Sequence, residues 1–359
     1  MDLGVKDAGI NILACLERDP HCCETLRANI LKDKEKTQVF EGDIRTVVPK
    51  VLMKDLGLVT GQLDLLFGGP PCQAFSQIGK QASLDDERGM LLFELIRFAK
   101  CLRPKAILIE QVKGLLNAKN CLGKVGGVFE MLLAELDALG YVPKWRLINA
   151  ADFGVPQARK RVFIVATLKP NGFNFPNATH QSAITPDLFF PLPVHINAGM
   201  AIKGLGRPSQ GKTSKRTDSH IDVTPERDIE RINGVPEGGH LSAQMHLPKS
   251  QRGKLSKKDT TKYLRISTKK PANTLRCGEI FFHPILDRYL TPREYMRIHG
   301  YPDTYCLKGP IRSRSGRVAS LDQHKQIANS VPPPVANAIV IEILKILKCQ
   351  KSMKSLATL

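Results

Sequence analysis

Leu63-Asp64-Leu65-Leu66-Phe67-Gly68-Gly69-Pro70-Pro71-Cys72-Gln73-Ala74-Phe75-Ser76 is the stretch on which the reading of the fold turns. Residues 63–67 form a short apolar run of strand length, and two glycines followed by two prolines end it in a rigid turn. That turn presents Cys72 at the carboxyl end of the strand. In open α/β sheets ligands gather beyond the carboxyl ends of strands, so Cys72 stands where chemistry is expected. Most cysteines are inert because burial raises the thiol pKa. A backbone fixed on the amino side by Gly68, Gly69, Pro70 and Pro71 sets this one apart.

On either side, residues 11–16, 106–109 and 161–167 are further short apolar runs. Between the runs, residues 24–30, 90–102 and 125–139 carry apolar side chains at helical spacing. This alternation predicts an α/β, doubly wound, Rossmann-like domain with a mostly parallel sheet. By the same carboxyl-end rule, Glu17 and Glu110 join Cys72 as candidates.

The texture changes near residue 169 to Pro, Gly, Ser and Lys without periodicity, which predicts a smaller, loop-rich part. Residues 201–276 hold 17 Lys and Arg against 7 Asp and Glu, within a chain whose formal net charge is +19. Such a balance points to a polyanion, with nucleic acid as the leading partner. After Ser330-Val331-Pro332-Pro333-Pro334, residues 335–347 read as a closing apolar helix that returns to the first part. The expected division is 1–168, 169–318 and 319–359. No uninterrupted apolar stretch of about 18 residues and no lipid-anchor pattern occurs, so a soluble protein is expected, without membrane attachment. The beginning of the chain has no secretory pattern, and the nine cysteines include no C-x-x-C pair. A reducing cytosol is expected, with neither disulfides nor metal.

Pro70-Pro71-Cys72-Gln73 resembles the catalytic motif of the DNA (cytosine-5) methyltransferases. Further matches follow in the family's order: Glu110-Gln111-Val112 for Glu-Asn-Val, Gln157-Ala158-Arg159-Lys160-Arg161 for Gln-x-Arg-x-Arg, and Ala328-Asn329-Ser330-Val331-Pro332-Pro333 for Gly-Asn-x-Val-Pro-Pro. Two of them depart by one residue. Gln111 for Asn bears on a hydrogen bond supporting the catalytic loop, and Ala328 for Gly bears on a position that could need positive φ.

The resemblance implies a Rossmann-like, S-adenosylmethionine-dependent methyltransferase fold with a target-recognition domain. It also implies a chemistry that explains the residue types. Cytosine C5 is too weak a nucleophile to attack a methyl sulfonium unaided, so a thiolate, Cys72, adds at C6 first. Glu110 as an acid at N3 stabilises the charge this creates, Arg161 bonds the base O2 and helps fix Glu110, and Arg159 orients the site. The target base must leave the duplex, at a cost of about a few kcal/mol. Residues 75–89 are expected to close over it as a lid, with Gln73, Ser76 and Arg88 facing DNA. For the methyl donor, Glu17 matches the acid that binds ribose hydroxyls, Asp43 the residue at the adenine amino group, and Asn329 and Ser330 those at the methionine end; Ile44, Pro71 and Leu91 line the same cofactor. Thr274-Leu275 resembles a Thr-Leu pair at the start of the recognition core, with Thr274 a candidate phosphate contact.

The family's first motif, Phe-x-Gly-x-Gly, is not found, and residues 1–9 read as the helix that follows it. Three explanations are open: a start assigned too far downstream, which is favoured, a degenerate gene, or a partner chain supplying the strand. The leading expectation is a monomeric enzyme that methylates duplex DNA at the nucleoid of a bacterial cytoplasm, functionally paired with a restriction endonuclease. A catalytically impaired DNA-binding remnant and a tRNA cytosine-5 methyltransferase are the alternatives.

Overall fold

The computed structural model describes residues 1–33, 36–70, 87–168, 172–187, 189, 191–211, 217–243, 248, 263–312 and 321–356. The first part runs α1 (Asp2–Asp7), β1 (Ala14–Glu17), α2 (Pro20–Asp33), β2 (Gln38–Glu41), α3 (Pro49–Asp55), β3 (Leu65–Gly68), α4 (Glu87–Leu102), β4 (Ala106–Val112), α5 (Gly127–Ala138), β5 (Tyr141–Asn149), β6 (Gln157–Ala158) and β7 (Lys160–Leu168). Side chains along β4 and β7 alternate between two cores, as the two-residue repeat of a strand requires. Leu108, Phe163 and Val165 enter one with Val5, Val335, Ile339 and Ile343, whereas Ile107, Ile109, Val162 and Ile164 enter the other with Leu92, Ile96, Leu132 and Leu136. Helices therefore cover both faces, and β4 is buried almost throughout.

The sheet is mixed rather than mostly parallel. Its strand order is β3-β4-β7-β5, with β3 and β4 parallel and β7 antiparallel to both its neighbours. The link from β5 to β7 holds only a short 3-10 turn (Ala150–Phe153) and β6. A parallel return needs a crossover of a dozen or more residues, so the chain comes back antiparallel. β5, on the edge, escaped the reading of apolar runs because Pro143, Lys144 and Arg146 interrupt it; an edge position tolerates that proline.

β1 and β2 form a separate parallel pair. Among the described residues no ladder joins β1 to β3, although both strands feed the same apolar layers: Leu16 and Leu66 flank the cluster of Leu52, Met53, Phe98 and Leu102. Both strands are largely half-exposed, unlike β4.

The second part holds short elements: α6 (Ala198–Ile202), β8 (Ser209–Gln210), β9 (Ile221–Asp222), α7 (Glu226–Ile232), β10 (Ala272–Asn273) and α8 (Pro292–Ile298). Thr291-Pro292-Arg293-Glu294 starts α8 with a reciprocal cap between Thr291 and Glu294, and Arg288 grips both Glu294 oxygens at 2.8 and 2.6 Å. α9 (Gln323–Asn329) gives Ile327 and Ala328 to the core of this second part, while α10 (Pro333–Leu356) covers the sheet of the first. By length and composition alone Gln323–Lys348 could cross a bilayer, with a mean hydropathy of 1.4, but half of it is buried inside the protein as in a core helix. α10 meets α1 at Gly4, where a Cβ would stand 2.3 Å from the Pro333 carbonyl oxygen.

Candidate active site

The ends of β3, β4 and β7 converge, and the antiparallel register decides which side chains meet. Glu110 lies opposite Phe163 and Val112 opposite Arg161, so Glu110 and Arg161 are diagonal neighbours on one face of the sheet. Arg161 Nε stands 3.1 Å from Glu110 Oε1. The other oxygen, Oε2, faces the end of β3: a Cβ on Gly69 would lie 3.0 Å from it. Burial holds the Glu110 carboxyl above its usual range, and the guanidinium groups of Arg161 and Arg159 pull the other way without cancelling it. Gln111, on the opposite face, donates from Nε2 to the Pro70 carbonyl at 2.8 Å, so it does form a hydrogen bond to the root of the loop.

Gly69 and Pro70 thus tie the acid to the segment carrying the thiol. Cys72 itself, with Pro71, Gln73 and Ser76, lies outside the described residues, as does the side chain of Arg88 on α4. The close approach at Gly69 supports a test. Gly69→Ala should push Glu110 Oε2 aside and lower kcat by about tenfold, since misplacement by about 1 Å can cost up to about 100-fold. Stopped-flow or steady-state methyl transfer measures it, and an unchanged kcat would remove Glu110 Oε2 from the reaction.

Arg159 is buried and held by backbone carbonyls, with Nη2 donating to Ala328 at 2.9 Å and Ser330 at 3.2 Å and Nη1 to Leu275 at 3.5 Å. It anchors the turn between α9 and α10, which fits an orienting part better than contact with a base.

The candidates for the methyl donor are placed as follows. Glu17 ends β1; its Oε1 accepts from the amides of Arg18 at 2.7 Å and Asp19 at 2.8 Å, while Oε2 makes no hydrogen bond among the described residues. Burial pushes its pKa up, against those two amides. The helix that follows is capped by Asp19 rather than by Glu17, for Asp19 Oδ1 accepts from the Cys22 amide. Asp43 is engaged by Arg45 through Nε and Nη2, the latter at 2.7 Å, and that contact holds its pKa down at about 2. Ile44 lies beside Asp43 and takes Arg97 on its carbonyl, and Leu91 is buried on α4. Asn329 Oδ1 accepts from the Cys277 thiol at 2.6 Å, and the Ser330 hydroxyl donates to the Ile327 carbonyl at 2.8 Å. A carboxylate whose second oxygen is uncommitted suits hydroxyl groups of a ribose; Asp43, already held by Arg45, suits an amino group less well.

Thr274 donates its hydroxyl to the Ala158 carbonyl at 2.8 Å, stitching β10 to β6. The basic count of the second part overstates its free charge. Arg265 is buried, donating to the carbonyls of His283, Leu286 and Ile232 and pairing with Asp287. The lysines of residues 249–262 lie outside the described residues, whereas Lys269 and Lys270 are exposed. The sequence reading missed His299, at the end of α8. No local motif marks it, and only its full burial among polar partners does.

Among the described residues no group of three His, Cys, Asp or Glu could hold a metal ion. The profile of the C-5 cytosine-specific DNA methylases matches residues 1–345. The chain is 30% identical over 360 residues to the type II methyltransferase M.Eco47II of Escherichia coli, covering 97% of this chain and 76% of that one. To M.NgoMIV of Neisseria gonorrhoeae it is 31% identical, with 96% and 94% covered. In fold it is similar to a protein described as a DNA modification methyltransferase encoded within an E. coli prophage, with a TM-score of 0.69 at 19% identity over 96% of this chain and 95% of that one. It is similar also to the DNMT2 of Spodoptera frugiperda, with a TM-score of 0.58 at 17% identity and 96% of each chain covered. The chain belongs to the C-5 cytosine-specific DNA methylase family and is a DNA (cytosine-5) methyltransferase.

Proposed function

We propose that this chain methylates C5 of one cytosine in a short duplex sequence as the modification partner of a restriction endonuclease, acting as a monomer on a base turned out of the helix. The observation that carries the reading is the pairing of buried Glu110 with the half-buried Arg161 at the root of the Pro-Pro-Cys segment, with the Glu110 carboxyl pushed above its usual range. S-adenosylmethionine, when bound, supplies an electrophilic methyl group on a sulfonium. Glu17, Asn329 and Ser330 are the residues proposed to hold it, with Ile44, Pro71 and Leu91 around it and Asp43 at its adenine end.

The protein's own groups do the rest. Cys72 as thiolate bonds to C6 of the cytosine, and the electron pair of the C5–C6 double bond shifts through the ring towards N3. Glu110, protonated, meets that charge at N3 from Oε2, while Arg161 on Oε1 keeps the carboxyl turned so that its proton points there. C5 becomes nucleophilic and takes up the methyl as the methyl–sulfonium bond breaks to leave a neutral thioether; solvent water then takes the C5 proton, N3 returns its proton to Glu110, and the C6–S bond breaks to restore both the aromatic base and the thiolate. Desolvation around Glu110 favours its protonated form and raises its pKa above that of an exposed glutamate, against the pull of Arg161 and Arg159.

Labelled methyl transfer from S-adenosylmethionine to unmethylated duplex DNA tests the assignment, with an RNA of the same length as competitor. Label at cytosine C5 that survives the RNA competitor supports it. Label that follows the RNA, or DNA binding with no transfer at all, would replace it with one of the other two readings. The basic second part is proposed to track phosphates. Lys269→Ala with Lys270→Ala should weaken binding to every duplex alike and lower the slope of log K against log salt by about 0.9 for each phosphate that the protein no longer neutralises. A slope unchanged in a fluorescence titration would move the DNA-binding surface elsewhere.

A further inference from the structure

Beside the site, four segments remote in sequence meet through one chain of hydrogen bonds. The Leu275 amide, just past β10, donates to Gln157 Oε1 at 3.2 Å. Gln157 Nε2 lies 2.9 Å from His299 Nδ1, and His299 Nε2 lies 3.0 Å from the Ser330 carbonyl oxygen. Gln157 and His299 are fully buried. A carbonyl only accepts, so Nε2 must carry the imidazole proton; Nδ1 is then a lone pair, and Gln157 donates to it. All three bonds run in one direction, from the strand pairing of the second part to the turn between α9 and α10. The arrangement fits only a neutral ring, since a second proton on Nδ1 would face the Gln157 N–H. Burial beside Arg159 keeps the ring neutral.

The same turn takes Arg159 on Ala328 and Ser330, and Asn329 takes the Cys277 thiol two residues past Leu275. We infer that His299 is a positioning residue: through the Ser330 carbonyl it sets the Asn329–Ser330 turn in register with the β6–β10 pairing that carries Thr274. The inference rests on the proposal that Asn329 and Ser330 hold the methionine end of the donor. It adds that the segment reaching towards DNA and the turn reaching towards the donor share one polar frame, with His299 the only side chain in it that bonds directly to both Gln157 and Ser330 among the described residues.

The test uses the full chain with His299→Leu and His299→Gln. Leucine fills the space and breaks both bonds, while a glutamine amide can again accept from Gln157 and donate to Ser330. His299→Leu should raise KM for S-adenosylmethionine on the order of tenfold, the loss expected when a buried bond is broken, and leave the duplex Kd within about twofold. His299→Gln should return KM to within about threefold of the parent. An unchanged KM in His299→Leu, or a shift that glutamine does not rescue, would overturn the inference and leave His299 as packing. Should His299→Leu not fold, Gln157→Leu cuts the same chain one step away and must give the same rise in KM. Calorimetric binding of S-adenosylhomocysteine to the parent separates the two levels: no binding there would sink the donor reading itself, whereas binding that the variants leave untouched sinks only the part given to His299.

Discussion

Cys72→Ser is expected to abolish methyl transfer while leaving the duplex Kd within about twofold. In the proposed mechanism the attacking species is an anion, and a serine hydroxyl is hardly ionised near neutral pH, whereas a thiol of pKa about 8.5 supplies a useful fraction of thiolate. Among the described residues, Gln111 donates to the Pro70 carbonyl and Gly69 approaches Glu110, and neither contact involves the sulfur. On that mechanism, removing sulfur removes the bond to C6. Duplex carrying 5-fluorocytosine at the target makes the outcome sharp. Fluorine cannot leave as a proton does, so the parent enzyme should form a complex that survives denaturing electrophoresis, and the serine variant should form none. Turnover retained by the variant would end the covalent mechanism.

Glu110→Gln comes next in size, with an expected loss in kcat of about 10²- to 10⁴-fold, the usual worth of a positioned acid. Glutamine still offers an N–H to the ring but cannot yield a proton. The pH profile separates the two functions. In the proposed mechanism the working form of Glu110 is the protonated one, and burial raises its pKa, so kcat in the parent should fall on the alkaline side as that proton leaves. Cys72 as the proposed nucleophile should impose the opposite limb, rising with pH as thiolate forms. The variant should keep the rising limb and lose the falling one. Because breaking a buried pair costs up to about 3–5 kcal/mol, thermal unfolding must be followed alongside, and Arg161 left without its partner is where that cost arises. A falling limb that persists in the variant would assign it to another group.

Much of the fold was legible because β3, β4 and β7 read as continuous apolar runs bounded by turns, as strands covered by helices do. β2 and β5 were not, since edge strands with one wet face carry charges and, in β5, a proline. The mixed direction of the sheet was hidden for a related reason: parallel and antiparallel core strands look alike in apolar content, and only the short, helix-free link from β5 to β7 tells them apart. At the site, Glu110 and Arg161 were found in motifs, yet their meeting depends on a register that motifs do not carry. Charge was the least reliable guide. Arg265 and Arg293 add to the positive balance of the second part and are nonetheless buried on carbonyls and carboxylates of that part itself. His299 was invisible because a histidine near a helix end is ordinary; what distinguishes it is a pair of hydrogen-bond partners drawn from two other segments of the chain.

The separation of β1–β2 from the four-stranded sheet bears on cooperativity. Glu17 stands on one side of that division, and Glu110 with Arg161 on the other, so among the described residues the two are coupled through helices rather than through a continuous ladder. A strand pair that no ladder joins to the larger sheet among the described residues opens at a lower free energy than a central strand, so amide exchange should be faster at β1 and β2 than at β4. A ligand that binds only when both sides are in place then acts as a clamp across the division. The unfolding midpoint of this protein should rise with donor concentration as RT ln(1 + [L]/Kd) prescribes, and the slowing of exchange on binding should be concentrated in residues 14–17 and 38–41.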